Sequence, residues 1–120
     1  MLSKMYSEGL VWFSIRGDVN LVDIADFLRE MQREIATGSR GFILDLSNAD
    51  HIQRHAFDSL INIKNKLRAN GVKLVILCTR KMILDILKVE RVPEHFEVMN
   101  DPSKVNLSFS FSTNLFAYRN

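Results

Sequence analysis

Three short apolar runs constrain this chain more than any other feature: Leu10 to Ile15 (LVWFSI), Gly41 to Leu46 (GFILDL) and Val72 to Cys78 (VKLVILC). Each is too short for a buried helix and rich in residues that suit a pleated, buried surface, so each predicts an interior strand. Between the first two the period changes. Leu21, Ile24, Ala25, Leu28, Met31 and Ile35 recur at three- and four-residue steps among charged residues, the pattern of an amphipathic helix. Asn20 supplies an N-cap, Asp23 a first-turn carboxylate, and Thr37-Gly38 a stop. A second helix is expected over about Arg54 to Ala69, ended by Asn70-Gly71, and a third over Lys81 to Lys88, before a last short strand at His95 to Met99. Strands alternating with helices imply crossover connections and a parallel sheet. Leu2 to Tyr6 can pair with the first run across Ser7-Glu8-Gly9, which makes the sheet mixed. The expected fold is therefore a single α/β domain with a mixed, mainly parallel sheet.

The tail breaks this rhythm. Val105 to Ser112 (VNLSFSFS) alternates apolar and polar residues, the period of a half-buried strand, and Phe109, Phe111, Phe116 and Tyr118 make it aromatic. Residues 1–101 are read as the domain and 102–120 as a C-terminal extension with one strand. That strand can pack on its own sheet, or add to the edge of a second copy and make a homodimer.

Composition excludes several classes of function. Sixteen Lys and Arg against 14 Asp and Glu leave a net charge of +2 without a basic stripe, so nothing points to nucleic acid. No uninterrupted apolar stretch approaches the ~18 residues of a membrane helix, so direct membrane insertion is not expected. Cys78 is the only cysteine, which excludes an intrachain disulfide and fits a reducing cytoplasm.

Complete catalytic constellations are missing as well. Ser47, Asp50 and His51 are too close in sequence to converge on one centre, and no nucleophile elbow is present. Gly38-Ser39-Arg40-Gly41 lacks the Lys-Ser/Thr of a phosphate loop and leads into a strand. Asp50, His51, His55 and Asp58 invite a metal reading, but His51 precedes the expected helix, so no metal and no cofactor is assigned. His95, beside Pro93-Glu94, reads as a surface or strand-edge histidine.

Phe42-Ile43-Leu44-Asp45-Leu46-Ser47, then Ile52, a helix opening near Arg54, and Gly71 before Lys73 to Leu77 together resemble the STAS domain, the family of sulfate transporters and anti-sigma factor antagonists. Gly17-Asp18-Val19 fits the family's corner before its first helix, and Leu84 to Asp101 its third helix and final strand. The resemblance covers about residues 9 to 101. It implies a bacterial, non-enzymatic module that binds a regulatory protein, such as an anti-sigma factor or a kinase-like partner.

In antagonist members of the family, the loop after the isoleucine reads Asp-Ser-Ser/Thr-Gly, and its second hydroxyl residue is phosphorylated. Here the matching residues are Gln53, Arg54, His55 and Ala56. His55 occupies the acceptor position and carries no hydroxyl, so the phosphorylation loop is degenerate. Ser47 and Ser59 are the alternative acceptors. Positive side chains at a helix start oppose the helix dipole, at ~0.3–1 kcal/mol for surface charges. They are either solvated surface charges or part of a patch that meets an anionic group on a partner. The second reading assigns Asn48, Asp50, His51, Gln53, Arg54, His55 and Asp58 to partner binding. The alternative function is an accessory subunit that binds a small anionic or lipidic ligand in a sensing or transport assembly.

Overall fold

The first apolar run pairs on both sides. In the computed structural model, which describes residues 1–109, β1 (Leu2–Ser7) and β2 (Leu10–Ile15) form an antiparallel hairpin whose two loop residues, Glu8 and Gly9, both have positive φ, 52° and 79°. That backbone twist matches the twist of the flanking strands in a two-residue hairpin. β2 then pairs in parallel with β4 (Gly41–Asp45), Phe13 standing opposite Leu44. β4 pairs with β6 (Lys73–Leu77), and β6 with β7 (Glu97–Met99), both in parallel. The sheet order is β1-β2-β4-β6-β7, mixed only through the hairpin.

Side-chain alternation sorts this sheet into two faces. Val11, Phe13, Ile15, Phe42, Leu44, Leu74 and Ile76 share a core with Ile24, Phe27 and Met31 of α1 (Leu21–Ala36) and with Ile83 and Leu87 of α4 (Lys81–Val89). Leu60 and Leu67 complete that core from α2 (Asp58–Asn62) and α3 (Lys64–Ala69). α1 to α4 thus cover one face. Phe13 sits at its centre, edge-on to Phe27 and stacked on Phe42. The opposite face holds a smaller cluster of Leu10, Ile43 and Leu77, with Trp12 and Met99 beside it, covered by Val105 and Phe109.

Capping of α1 follows the sequence closely. Asn20 Oδ1 accepts from the Asp23 amide at 2.9 Å, and Asp23 Oδ2 accepts from the Asn20 amide at 3.1 Å, a reciprocal capping box. Leu21, expected on the apolar face, is instead 51% exposed, and Phe27 takes a central place in the core.

Three expectations are corrected. Ala49–Ile52, where no strand was expected, is a strand, β5, which pairs in parallel with β3 (Gly17–Val19) in a separate two-stranded sheet. Gly17, at φ 79°, turns the chain out of β2 and donates to the Asn48 carbonyl at 3.1 Å. The single helix over Arg54 to Ala69 is two helices that begin only at Asp58 and break at Ile63, whose amide bonds the Leu60 carbonyl at 3.2 Å. Asn62 and the β-branched Ile61 and Ile63 are weak helix formers, and they sit at the break. Phe57, Leu60 and Leu67 are buried all the same, so the helical period of the sequence survives the interruption.

The tail is the third correction. Residues 105–109 are helical, whereas a strand was expected over Val105 to Ser112. Asp101 starts the turn by accepting from the Ser103 amide at 3.0 Å, and Pro102 fits the first position of the 3-10 turn Pro102–Lys104. A strand would place Val105, Leu107 and Phe109 on one face. The helix instead buries Val105 and packs Phe109 against the sheet, four residues on, while Leu107 is 66% exposed. A homodimer built on a C-terminal strand therefore has no strand to use in residues 105–109. Phe111, Phe116 and Tyr118 lie outside the described residues.

Candidate functional site

The site is built where the parallel strands end. Asp45 closes β4, and its Oδ1 accepts from the Ser47 amide at 2.9 Å, shaping the turn as expected from an Asx residue at a strand end. Ser47 Oγ accepts from the Thr79 amide at 3.1 Å, which ties the ends of β4 and β6 together. The Asp-Leu-Ser sequence thus serves to bend the chain into β5, and its hydroxyl is already engaged.

β5 is buried at its ends and exposed between them. Ala49 and Ile52 are buried, and Asp50 and His51 are exposed. Arg80, before α4, reaches across with its guanidinium to the Ala49 carbonyl and, at 3.1 Å, to Asp50 Oδ1. That tether joins the site's central strand to the start of α4, and no local pattern in the sequence reveals it. Asn48 is exposed at the turn before β5, and its carbonyl receives the Gly17 amide.

Gln53 faces inward in its bonding. Its amide donates to the Val19 carbonyl at 2.7 Å, and its side-chain Oε1 accepts from the Leu21 amide at 3.1 Å. Arg54 follows, exposed and with no ion pair among the described residues. His55 takes a left-handed backbone, φ 66°, in the turn closed by the Ala56 amide on the Gln53 carbonyl and the Asp58 amide on the His55 carbonyl. Its Nδ1 stands 3.2 Å from Asp58 Oδ2, and both side chains are about 60% exposed (61% and 60%). Water screens such a pair, so it contributes little to stability.

This geometry corrects the expected electrostatics. Arg54 and His55 precede the helix, which opens at Asp58 and has only five residues, so they do not stand in the field of a long helix terminus. Asp58, at the first helical position, is the dipole-compatible charge. Ser59 is exposed at the second residue of α2, where a position one turn inside was expected. The residues once grouped as metal candidates separate: Asp50 pairs with Arg80 and His51 stays on β5. Among the described residues, His55, Asp58 and Glu90 bring donor atoms within 4.8 Å of one another, the first two exposed and Glu90 half-buried.

Large apolar side chains are exposed at the helix starts tied to this segment, α1 through the Gln53–Leu21 bond and α4 through the Arg80–Asp50 pair. Leu21 and Val22 at the start of α1 are 51% and 67% exposed, and Met82 at the start of α4 is 56% exposed. Sequence reasoning missed all three, since Leu21 and Met82 fit the apolar stripe of their helices. Deeper in, Cys78 is fully buried, and desolvation pushes its thiol above the usual range.

Among the described residues, no helix is long and apolar enough to cross a membrane. The fold is similar to that of an anti-sigma factor antagonist from Mycobacterium paratuberculosis, at 11% identity and a TM-score of 0.74, over 90% of this chain and 92% of that one. It is also similar to the anti-sigma factor antagonist SpoIIAA in its unphosphorylated form (9% identity, TM-score 0.66, 92% and 97% covered). The phosphorylated form of SpoIIAA, a Bacillus cell fate determinant, gives a TM-score of 0.64 at 8% identity, over 90% and 99%. No curated protein matches the sequence closely enough to add a relative. The STAS domain family model matches residues 4–105, from within β1 through every strand and helix up to β7. With that span and this architecture, the chain belongs to the STAS domain family.

Proposed function

We propose that this chain is a non-enzymatic regulatory module that binds another protein through the surface formed by β5, the 53–57 turn and the starts of α1 and α4. The observation that carries the reading is the exposure of Leu21, Val22 and Met82 at the helix starts tied to β5 and its turn, together with an exposed His55 and an Arg54 that has no ion pair among the described residues. Apolar side chains at a surface, rimmed by polar and cationic groups, are the anatomy of a protein interface. The structural relatives named as anti-sigma factor antagonists support a regulatory partner such as an anti-sigma factor; we read the partner as an anti-sigma factor or a kinase-like protein met in a bacterial cytoplasm.

One of those relatives is solved in a phosphorylated form. At the position matching the family's acceptor this chain has His55, which cannot accept a phosphate on a hydroxyl. The surface is therefore read as constitutively available, with Arg54 and His55 offering charge to a carboxylate or phosphate of the partner, and Asn48, Asp50, His51 and Asp58 at the rim. Gln53 contributes by holding the turn in place.

The test is capture from a lysate of the native cell, with wild type beside an Arg54→Glu, His55→Asp double variant. A partner retained by wild type and lost by the variant, while both melt at the same temperature, supports the surface. Equal retention by both proteins overturns it.

A further inference from the structure

A second site lies at the other end of the parallel strands, in a cleft between α3 and the starts of β6 and β7. The cleft has a volume of about 320 Å³ and is bordered by Lys64, Arg68, Lys73 and His95, with Glu97 the one carboxylate among its described lining residues. Two of these charges are already engaged. Glu97 accepts from the Ser108 hydroxyl, and Lys73 Nζ donates to the Ser108 carbonyl at 3.0 Å while lying over the Phe109 ring.

Lys64 and Arg68 have no carboxylate partner among the described residues. Lys64 Nζ instead stands 2.6 Å from Nδ1 of the half-buried His95. An ammonium donating to Nδ1 leaves the imidazole Nε2–H as a further donor, and a protonated imidazole there makes a like-charge contact. Either way Lys64 and His95 bring no anion of their own to the cleft. Arg68 adds a planar fork suited to two oxygens at once. α3 lines the cleft from its first residue, Lys64, to Arg68, so side chains and not a helix terminus supply the attraction.

Leu67, Val72 and Phe96 give the cleft an apolar wall next to these cations. A bare inorganic anion would leave that wall wet, whereas an organic phosphate would use both parts. The size falls in the range of small-ligand pockets. We infer that the cleft binds a phosphate monoester, the phosphate held by Lys64, Arg68 and His95 and the organic part seated on Leu67 and Phe96. The site shares no residue with the partner surface, so either can fail alone.

The test uses the full chain, ¹⁵N-labelled and titrated at constant ionic strength with phenyl phosphate, inorganic phosphate and phenol. Saturable shifts of amides in 64–73 and 95–97 are expected, with phenyl phosphate binding tighter than inorganic phosphate. A Lys64→Ala, Arg68→Ala double variant should bind phenyl phosphate at least about ten-fold more weakly, the loss of two charge-assisted bonds. Arg16→Ala, an exposed arginine in neither site, should bind as wild type does. Arg68→Gln, at an exposed position, keeps the comparison available if the double variant does not fold. Vesicles of phosphatidylcholine with and without phosphatidic acid separate two sources of the same chemistry: co-sedimentation lost in the variant identifies a lipid headgroup, and its absence beside saturable phenyl phosphate binding identifies a free ester. Shifts that do not saturate, equal affinity in the variants, or an equal response to phenol overturn the site.

Discussion

Gln53 Oε1 accepts a hydrogen bond from the Leu21 amide at 3.1 Å, fastening the turn that carries Arg54 and His55 to the first residue of α1. That amide belongs to the first turn of a helix and has no partner within it, so the bond satisfies a group that otherwise depends on water. Gln53→Ala should lower the unfolding free energy by about 0.5–1.5 kcal/mol, the worth of one such bond. Urea denaturation should show a lower midpoint with an unchanged slope. An unchanged midpoint would mean that the clasp contributes nothing.

How much of this was legible in the sequence depends on whether the signal was local. LVWFSI, GFILDL and VKLVILC announced β2, β4 and β6, and Asn20 with Asp23 announced the cap of α1, because each is written within a few neighbouring residues. β5 was not legible: Asp50 and His51 face outward, and its partner β3 is three residues lying far upstream. The break at Ile63 and the left-handed His55 leave Phe57, Leu60 and Leu67 in helical register, so the periodicity could not reveal them. Arg80 on Asp50 and His95 on Lys64 are contacts made only by the fold.

His55 pays for its left-handed backbone without burying its side chain. A non-glycine residue there costs roughly 1–2 kcal/mol, part of which glycine gives back through the entropy of the unfolded chain. His55→Gly should therefore raise stability by about 0.5–1 kcal/mol, and His55→Val, β-branched at the same φ, should lower it by about 1 kcal/mol. Thermal melts of both variants beside wild type decide this. Equal melting of all three would show that the turn does not hold the residue in that conformation.

Asp101 is held below its ordinary value of 3.8, first by the Ser103 hydroxyl and then by the Ser103 amide, both donating to its carboxylate. A depressed folded value means that the unfolded chain binds the proton more readily, so the carboxylate's contribution is present above about pH 4 and is lost as the pH falls through the folded value. Melting temperature measured from pH 6 down to pH 2 should fall less steeply for Asp101→Asn than for wild type. Parallel curves would show that the turn at Pro102 is indifferent to this charge.

Cys78 has the opposite sign. Burial raises its thiol, so the folded chain keeps its proton to higher pH than the unfolded chain does. Its contribution is full below the unfolded value of 9.0 and is lost as pH rises through the folded one. A thiol reagent at pH 8 should label the native chain at least about 100-fold more slowly than the chain in urea, since only the exposed thiolate reacts. Cys78→Ala should also remove part of the decline in stability above pH 9.0. Rapid native labelling would place the thiol within reach of solvent.

Trp12, the only tryptophan, packs beside Val105 and Phe109, so its emission reports whether the tail segment is docked. Val105 is fully buried and Leu107 is 66% exposed, an asymmetry that a helix produces and an alternating strand cannot. Val105→Asp would bury an unpaired charge, and the cheaper response is release of the segment, with a red shift of Trp12 emission and a loss of about 2 kcal/mol or more. Leu107→Asp should leave emission unchanged and shift stability by no more than about 0.5 kcal/mol. Because a strand would bury both side chains on one face, equal damage from the two substitutions would return residues 105–109 to the extended form that their alternation suggests, whereas the expected contrast fixes them as helical in solution.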